Sequence, residues 1–263
     1  MATRTSYDNG MPNWIDLSSP DVDASARFYT ALFGWDAQDQ LDDEGTRIYT
    51  LLRQDGKDVA GLGGQMDGMQ GAPAIWMTYV AVDDVDAITK KVEAAGGTVM
   101  LPGMDVMESG RMGVYADPSG AVFSVWQARE HVGAQIVNEP NSYTWSELMT
   151  RGLDAAKEFY REVLGWDYDG MDMGPMGTYW IVQGGDNGVA GLMAMPEQMP
   201  EQVPNHWGVY FAVADTDATV AKAQELGAQV VNPPMDVPGV GRMALLHDPL
   251  GGSFNVMTGQ SAA

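Results

Sequence analysis

The stretch that decides the fold runs from Asn13 to Asp36 and reads NWIDLSSPDVDASARFYTALFGWD. Its first residues alternate between apolar and polar as in a β-strand, and a Ser-Ser-Pro segment breaks that alternation. Asp21 is placed to cap a helix, apolar residues follow at helical spacing, and Gly34 stands where a left-handed residue ends a helix. The stretch therefore predicts a strand followed by one amphipathic helix.

The same stretch returns as TWSELMTRGLDAAKEFYREVLGWD at Thr144–Asp167, an offset of 131 residues. Further along, 22 of 51 positions are identical between Trp76–Trp126 and Trp207–Met257. With only two long copies in 263 residues the repeat is not a solenoid, and we expect each copy to close its own core. The predicted divisions are domain 1 at residues 11–128 (half 1), a linker at 129–141, and domain 2 at 142–258 (half 2).

Each half contains a second strand and helix, followed by further strands separated by Gly- and Pro-containing turns. The second helix of half 1 carries Val85, Ile88 and Val92 at helical spacing. Each quarter of the chain is therefore predicted to be a β-α-β-β-β module, which gives four modules and the α+β class. We expect these three residues and Leu17 to be buried against the outer face of a sheet.

Composition excludes several classes of protein. The chain has 14 Lys and Arg against 36 Asp and Glu, a net charge of −22, which repels nucleic acid and anionic lipid. The charge serves solubility or attracts a cationic small molecule. No cysteine is present, so disulfides, thiolate ligands and a thiol nucleophile are excluded. The absence of a long apolar run and of an apolar signal core predicts a cytoplasmic protein without a membrane partner.

Three motifs occur in the same order in both halves: FYxxxxGW, VxDxxA at the start of the second helix, and DPxG before the last strand. Together they resemble the glyoxalase, bleomycin-resistance and extradiol dioxygenase superfamily, also called vicinal oxygen chelate proteins. The chain looks most like the two-domain actinobacterial members labelled glyoxalase-like or hydroxylase. The resemblance implies two curled, mixed-sheet half-barrels, each around a cleft, with the helices outside.

The resemblance implies that metal-using relatives bind a divalent ion through His, Gln or Glu ligands at three strand positions in each half. Here those positions hold Trp14, Met77 and Ser124 in half 1, and Trp145, Gly208 and Asn255 in half 2. None of the six is a usual His or carboxylate ligand for Zn, Fe or Mn. We therefore predict no metal site and no cofactor.

Asp16 and Glu147 lie two residues after the two tryptophans and so on the same strand face. They are candidate acid/base groups or anchors for a cationic ligand, or else carboxylates satisfied by the backbone or by Arg. The residues predicted to line the clefts are Trp14, Asp16, Met77, Tyr79, Arg111 and Ser124 in half 1, and Trp145, Glu147, His206, Gly208, Tyr210, Arg242 and Asn255 in half 2.

Several of these residues have a structural alternative. Tyr79 and Tyr210 are core tyrosines with a hydroxyl partner or cleft residues, and Arg111 and Arg242 either meet a ligand or form internal ion pairs with nearby aspartates. His206 is a structural histidine or an unorthodox metal ligand in half 2. His131, in the linker, is predicted to lie on the surface.

The sequence thus favours a metal-independent protein that binds a small apolar or aromatic, possibly cationic, molecule for resistance or metabolite handling. The alternative is an enzyme: a divalent-metal lyase, hydroxylase or dioxygenase with non-standard ligands such as His206 and Glu147. A monomer and a homodimer are both compatible with the sequence.

Overall fold

The computed structural model describes residues 3–65, 71–174, 177–184 and 187–259. Half 1 contains β1 (Pro12–Ser19), α1 (Val22–Phe33), β2 (Asp36–Leu41), β3 (Arg47–Gln54), β4 (Lys57–Gly64), β5 (Ile75–Ala81), α2 (Val85–Ala94), β6 (Thr98–Val106), β7 (Gly110–Ala116) and β8 (Val122–Ala128). Half 2 contains β9 (Ser142–Thr150), α3 (Leu153–Leu164), β10 (Tyr168–Asp172), β11 (Thr178–Gly184), β12 (Asn187–Ala194), β13 (His206–Ala212), α4 (Thr216–Glu225), β14 (Gln229–Val237), β15 (Gly241–His247) and β16 (Ser253–Gly259).

Each half forms one eight-stranded mixed sheet that does not close into a barrel. The strand order in half 1 is β2-β3-β4-β1-β5-β8-β7-β6, and half 2 repeats it as β10-β11-β12-β9-β13-β16-β15-β14. β1 runs parallel to β4 and antiparallel to β5, and β5 runs parallel to β8. The predicted α+β class and the four βαβββ modules are confirmed. No helix among the described residues is long and apolar enough to cross a membrane.

The local signals of the opening stretch act as predicted. The Asp21 side chain accepts a hydrogen bond from the Ala24 backbone N–H at 2.9 Å, and Gly34 ends α1 with φ of 76°. In the second copy Gly165 ends α3 in the same way, with φ of 75°, but the residue before that helix, Gly152, makes no side-chain cap. The βαβββ pattern requires β2, but the sequence did not locate it, because its residues, DAQDQL, show no apolar alternation and are mostly exposed.

The helix-covered faces of the two sheets pack on each other. Leu17, Val85, Ile88 and Val92 are buried, as predicted. Their two clusters of buried apolar side chains are not confined to one half, and each cluster draws on both. The expectation that each half closes its own core is therefore wrong. Two helices leave part of an eight-stranded sheet uncovered, and the other half supplies the missing layer.

Aromatic rings carry much of this shared packing. Phe33 of half 1 and Phe211 of half 2 lie with ring centroids 4.9 Å apart. In the other cluster, Phe123 of half 1 packs edge-on against Tyr160 of half 2 at 5.2 Å. Such pairs add about 0.5–1.5 kcal/mol each beyond their buried area.

The aspartate of each DPxG turn is buried and takes a hydrogen bond from the other half. Asp248 accepts a 2.8 Å bond from the Tyr29 hydroxyl, which itself accepts a 2.9 Å bond from the Trp76 indole N–H. Asp117 accepts the corresponding bond from Tyr160 at 3.2 Å. The tyrosine of the FY motif and the aspartate of the DPxG motif are thus partners across the two halves.

Tyr29→Phe and Tyr160→Phe are each expected to lower the free energy of unfolding by about 1.5–3 kcal/mol, because each leaves a buried aspartate oxygen without its donor. Urea unfolding followed by far-UV circular dichroism measures the loss.

Tyr115→Phe is the matched control. Tyr115 is as deeply buried, but its hydroxyl is paired with the neutral Thr89 hydroxyl at 2.8 Å. This variant is expected to lose only about 0.5–1.5 kcal/mol. Equal losses in all three variants would contradict a special role for the bonds between the halves.

Candidate functional site

In half 1 the predicted residues meet on the helix-free face of the sheet, which we call cleft 1. Trp14 and Asp16 of β1 point to this face, while the alternate residues of β1 pack under the helices. Across the sheet, Trp14 is paired with Tyr79 and Asp16 with Met77. Tyr79 is in turn paired with Ser124 on β8.

Half 2 repeats the arrangement as cleft 2. Trp145 is paired with Tyr210, and Glu147 with Gly208. Tyr210 is paired with Asn255 on β16. Ten of the thirteen predicted residues are therefore brought together, five in each cleft.

A hydrogen-bonded network joins the indole to the carboxylate in cleft 1. The Trp14 indole N–H donates to the Tyr49 hydroxyl at 3.1 Å, and the Tyr49 hydroxyl donates to Asp16 at 3.0 Å. Tyr79 donates to the same Asp16 oxygen, also at 3.0 Å. The donors are tyrosines, rather than the backbone or arginine expected of a purely structural carboxylate.

Cleft 2 contains the same kind of network. The Trp145 indole N–H donates to the Tyr179 hydroxyl at 2.8 Å, and Tyr210 donates to Glu147 at 3.1 Å. Burial raises the pKa of Glu147, and a hydrogen bond from Tyr179, which lies beside this carboxylate, opposes that rise. Each cleft therefore contains the same network of one indole, two phenols and one carboxylate.

Sequence reasoning missed Tyr49 and Tyr179, together with the glycines that admit them. A methyl group at Gly61 would overlap the Tyr49 hydroxyl, and one at Gly191 would overlap that of Tyr179. Both residue types recur at an offset of 130 residues, one less than the tryptophans, and this repetition was the available signal. A glycine in the neighbouring strand is what lets each phenol reach across to the carboxylate.

Burial changes the proton affinity of the carboxylates. It raises the pKa of Asp16 to about 6, against the opposing effect of the hydrogen bonds from Tyr79 and Tyr49. Burial likewise raises the pKa of Glu147. Both groups therefore exchange a proton closer to neutral pH than an exposed carboxylate does, which suits acid/base work or binding of a cation.

The raised pKa of Asp16 predicts a pH-dependent effect of its removal. A group with a raised pKa in the folded chain contributes stability in acid and loses it as the pH rises through that pKa. Between about pH 4 and pH 7 the stability of Asp16→Asn, relative to the unmodified protein, is expected to rise by about 1–3 kcal/mol. Urea unfolding across this pH range measures the difference.

Asp105→Asn is the control of opposite sign. Asp105 is exposed, and its hydrogen bond with Arg111 lowers its pKa. The contribution of Asp105 to the free energy of unfolding is present above its ordinary pKa and lost in acid. The stability of Asp105→Asn, relative to the unmodified protein, is therefore expected to fall as the pH rises. Matching slopes in the two variants would rule out a buried, proton-retaining Asp16.

Arg111 and Arg242 were predicted to meet a ligand or to form internal ion pairs, and the structure has the ion pairs. Arg111 lies 2.8 Å from Asp86 in the first turn of α2 and 3.3 Å from Asp105. Arg242 contacts the equivalent residues of half 2, Asp217 and Asp236. Both arginines reach the helix side of the sheet, so their inclusion among the cleft residues was wrong.

His206 lies at the end of cleft 2. It begins β13 on the face that carries Gly208, is partly exposed, and has Nδ1 2.8 Å from the Pro204 carbonyl oxygen. It faces Met149 on β9 in the strand register rather than Glu147.

The linker covers cleft 1, contrary to the prediction that His131 lies on the surface. The His131 ring meets the Trp14 indole edge-on, with centroids 4.5 Å apart. The His131 carbonyl oxygen accepts a 2.7 Å bond from the Trp126 indole N–H. Ala134, fully buried, donates its backbone N–H to the Asn13 carbonyl at 2.8 Å. Trp14 is only 3% exposed as a result.

Cleft 2 is more open. Trp145 and Asn255 are partly exposed, whereas their counterparts Trp14 and Ser124 are buried. Gly208 stands where cleft 1 has the side chain of Met77, and a methyl group there would meet nothing closer than 3.6 Å. The two clefts share their chemistry and differ in access.

The donor set of the clefts does not fit a divalent ion. In cleft 1 the carboxylates are Asp16 and Asp58, and Asp58 lies beside the His131 imidazole. Cleft 2 has one carboxylate, Glu147, with His206 at its end. The other polar groups are phenols, indoles and the side chain of Ser124 or Asn255. Across residues 3–65, 71–174, 177–184 and 187–259, no three His, Asp or Glu side chains are grouped so as to hold a metal. Zn, Fe and Mn sites in proteins are built from several converging nitrogen and carboxylate ligands.

The model of one protein family matches both halves. It is the Glyoxalase/Bleomycin resistance protein/Dioxygenase superfamily, and it matches residues 12–125 and 141–256. The chain belongs to this superfamily. The resemblance drawn from the FYxxxxGW and DPxG motifs is thereby confirmed.

Relatives within the superfamily include a Mycobacterium tuberculosis protein named as a glyoxylase, CFP32. It is 45% identical over 258 residues, covering 98% of each chain. The anthracycline biosynthesis protein DnrV of Streptomyces peucetius is 44% identical over 268 residues, covering 96% of this chain and 94% of the relative.

Solved structures share the fold at low sequence identity. The Mn(II)-bound glyoxalase from Novosphingobium aromaticivorans has a TM-score of 0.65 at 16% identity, over 95% of this chain and 82% of that one. Homoprotocatechuate 2,3-dioxygenase from Arthrobacter globiformis also has a TM-score of 0.65 at 16% identity, over 96% and 80%. At this identity the likeness concerns the fold alone.

Proposed function

We propose that this superfamily member binds a small aromatic molecule, neutral or cationic, without a metal ion. The observation that carries the proposal is the network of an indole, two phenols and a carboxylate, in which the indole occupies a position where a metal site would need His. An indole face and phenol rings offer stacking and cation–π contacts, each worth on the order of 1 kcal/mol. The carboxylate neutralises a positive group on the ligand.

Two further observations support this ligand class. The net charge of −22 raises the local concentration of cations. One relative is named as an anthracycline biosynthesis protein, and anthracyclines are planar polycyclic aromatic compounds. A protein that binds such a compound serves resistance or metabolite handling.

Naphthalenemethylamine and naphthalenemethanol form a matched pair of probes that differ in charge. Trp145→Ala is expected to weaken binding of both by about fivefold, the loss of roughly one aromatic contact. Glu147→Gln is expected to weaken binding of the amine more than that of the alcohol. The amine should also bind more tightly as the pH rises, because Glu147, whose pKa is raised, becomes ionised. Isothermal titration calorimetry measures the affinity of each probe for both variants and for the unmodified protein.

Trp180→Ala is the control. Trp180 is the residue after Tyr179 on β11, so it points away from cleft 2, and the Lys157 ammonium lies over its ring. This variant is expected to bind both probes normally. If the Trp145 and Trp180 variants bind the probes equally well, cleft 2 is not the binding site.

The alternative is a divalent-metal lyase, hydroxylase or dioxygenase that uses Glu147 and His206. The glyoxylase name of one relative favours it. Elemental analysis of the purified protein after dialysis against chelator separates the two functions. We expect less than about 0.1 Zn, Fe, Mn or Ni per chain, because one carboxylate and one imidazole make a weak site. Stoichiometric metal that is lost in Glu147→Gln would establish the enzyme instead.

A further inference from the structure

Cleft 1 is filled by the chain itself. The linker places an aromatic nitrogen ring, the imidazole of His131, edge-on to the Trp14 indole at 4.5 Å and close to the Trp126 ring at 5.7 Å. Edge-to-face contact at this distance is a preferred geometry for two aromatic rings. The imidazole therefore has the position and orientation of a bound aromatic ligand.

The imidazole is also anchored as a ligand would be. Its Nδ1 lies 3.5 Å from a carboxylate oxygen of Asp58 at the start of β4. The linker is fastened on both sides of the ring. Before it, the Arg129 N–H donates to the Ser109 carbonyl at 3.1 Å. After it, the Gln135 N–H donates to the Asp58 carbonyl at 2.7 Å and the Tyr7 hydroxyl donates to the Ala134 carbonyl at 2.6 Å. These bonds hold the ring over Trp14 and hold the cleft shut.

Cleft 2 has the same network, and among the described residues no aromatic ring packs against Trp145 as His131 packs against Trp14. Gly188 holds the register position that Asp58 holds in half 1, so cleft 2 lacks the carboxylate that anchors the imidazole. Met257 replaces Trp126, the second ring around the imidazole. Trp145 is correspondingly more exposed than Trp14.

We propose that His131 is an internal ligand of cleft 1, and that the chain takes one external ligand of the same kind, a planar aromatic nitrogen heterocycle, against Trp145 in cleft 2. The proposal rests on the proposed function and adds to it the ring chemistry, the stoichiometry and the choice of half. Glu147, which borders the other side of cleft 2, accommodates a heterocycle that is neutral or protonated.

Indole N–H signals in ¹⁵N-resolved NMR spectra of the full chain test the proposal, with benzimidazole as the probe. The chain has eight tryptophans, and Trp14→Phe and Trp145→Phe assign the two signals that matter. Benzimidazole is expected to shift the Trp145 signal, saturating at one molecule per chain, and to leave the Trp14 signal in place. Cyclohexylamine, of similar size but without an aromatic ring, is expected to shift neither.

His131→Ala tests the internal ligand directly. Removing the imidazole leaves a ring-sized space against Trp14, so benzimidazole is expected to shift the Trp14 signal as well and to bind at two molecules per chain. His247→Ala, which removes a histidine at the end of β15, is the control and is expected to keep a stoichiometry of one. Asp58→Asn is a second variant in case His131→Ala does not fold. It keeps the imidazole but weakens its anchor, so benzimidazole is expected to shift the Trp14 signal in part.

Each outcome decides a separate point. A Trp14 shift in the unmodified protein would overturn the internal ligand and leave the proposed function standing. Equal shifts of Trp145 by cyclohexylamine and benzimidazole would overturn the ligand class, and so would the absence of any shift. No gain of a second site in either His131→Ala or Asp58→Asn would show that the imidazole is core packing. The proposed function itself fails separately, when Trp145→Ala binds the naphthalene probes normally.

Discussion

The structure depends on two buried aspartates that cannot be satisfied within their own half. Backbone N–H groups of the DPxG turn satisfy one oxygen of Asp248, and the second oxygen needs another donor because a buried carboxylate without partners is costly. That donor is Tyr29 from the first helix of the other half, and Tyr160 plays the same part for Asp117. Each half thus donates a tyrosine hydroxyl to the buried aspartate of the other half, and through this exchange of hydrogen bonds the two halves form a single core.

This exchange also determines where a site can form. Because the helix-covered faces of the two sheets are occupied by each other, the helix-free faces are left for ligands. On each of them a glycine in the neighbouring strand lets a tyrosine reach the carboxylate, as Gly61 does for Tyr49. The repeated chain thus contains the same hydrogen-bonded network twice. Two differences account for the difference in access: the linker covers cleft 1, and cleft 2 has Gly208 where cleft 1 has Met77.

The superfamily's description joins glyoxalases and dioxygenases with a bleomycin resistance protein, so the function of a member has to be argued from the residues of its site. In this chain an indole stands at the first of the three metal-ligand positions in each half. The carboxylate two residues further on is held by phenols, and burial raises its pKa. Such a face is better suited to holding an aromatic ring with a proton or a positive charge nearby than to coordinating an ion.

The sequence by itself determined the repeat, the four modules, the helix ends at Gly34 and Gly165, and the strand face of ten of the thirteen residues predicted to line the clefts. These follow from local rules of strand alternation and helix capping. Only the tertiary structure decided which buried side chains contact one another. Periodicity shows which side of an element is buried and not what buries it, so the shared core was missed. His131 was missed for a related reason: an irregular linker has no periodicity, and only the folded chain shows that its ring lies against Trp14.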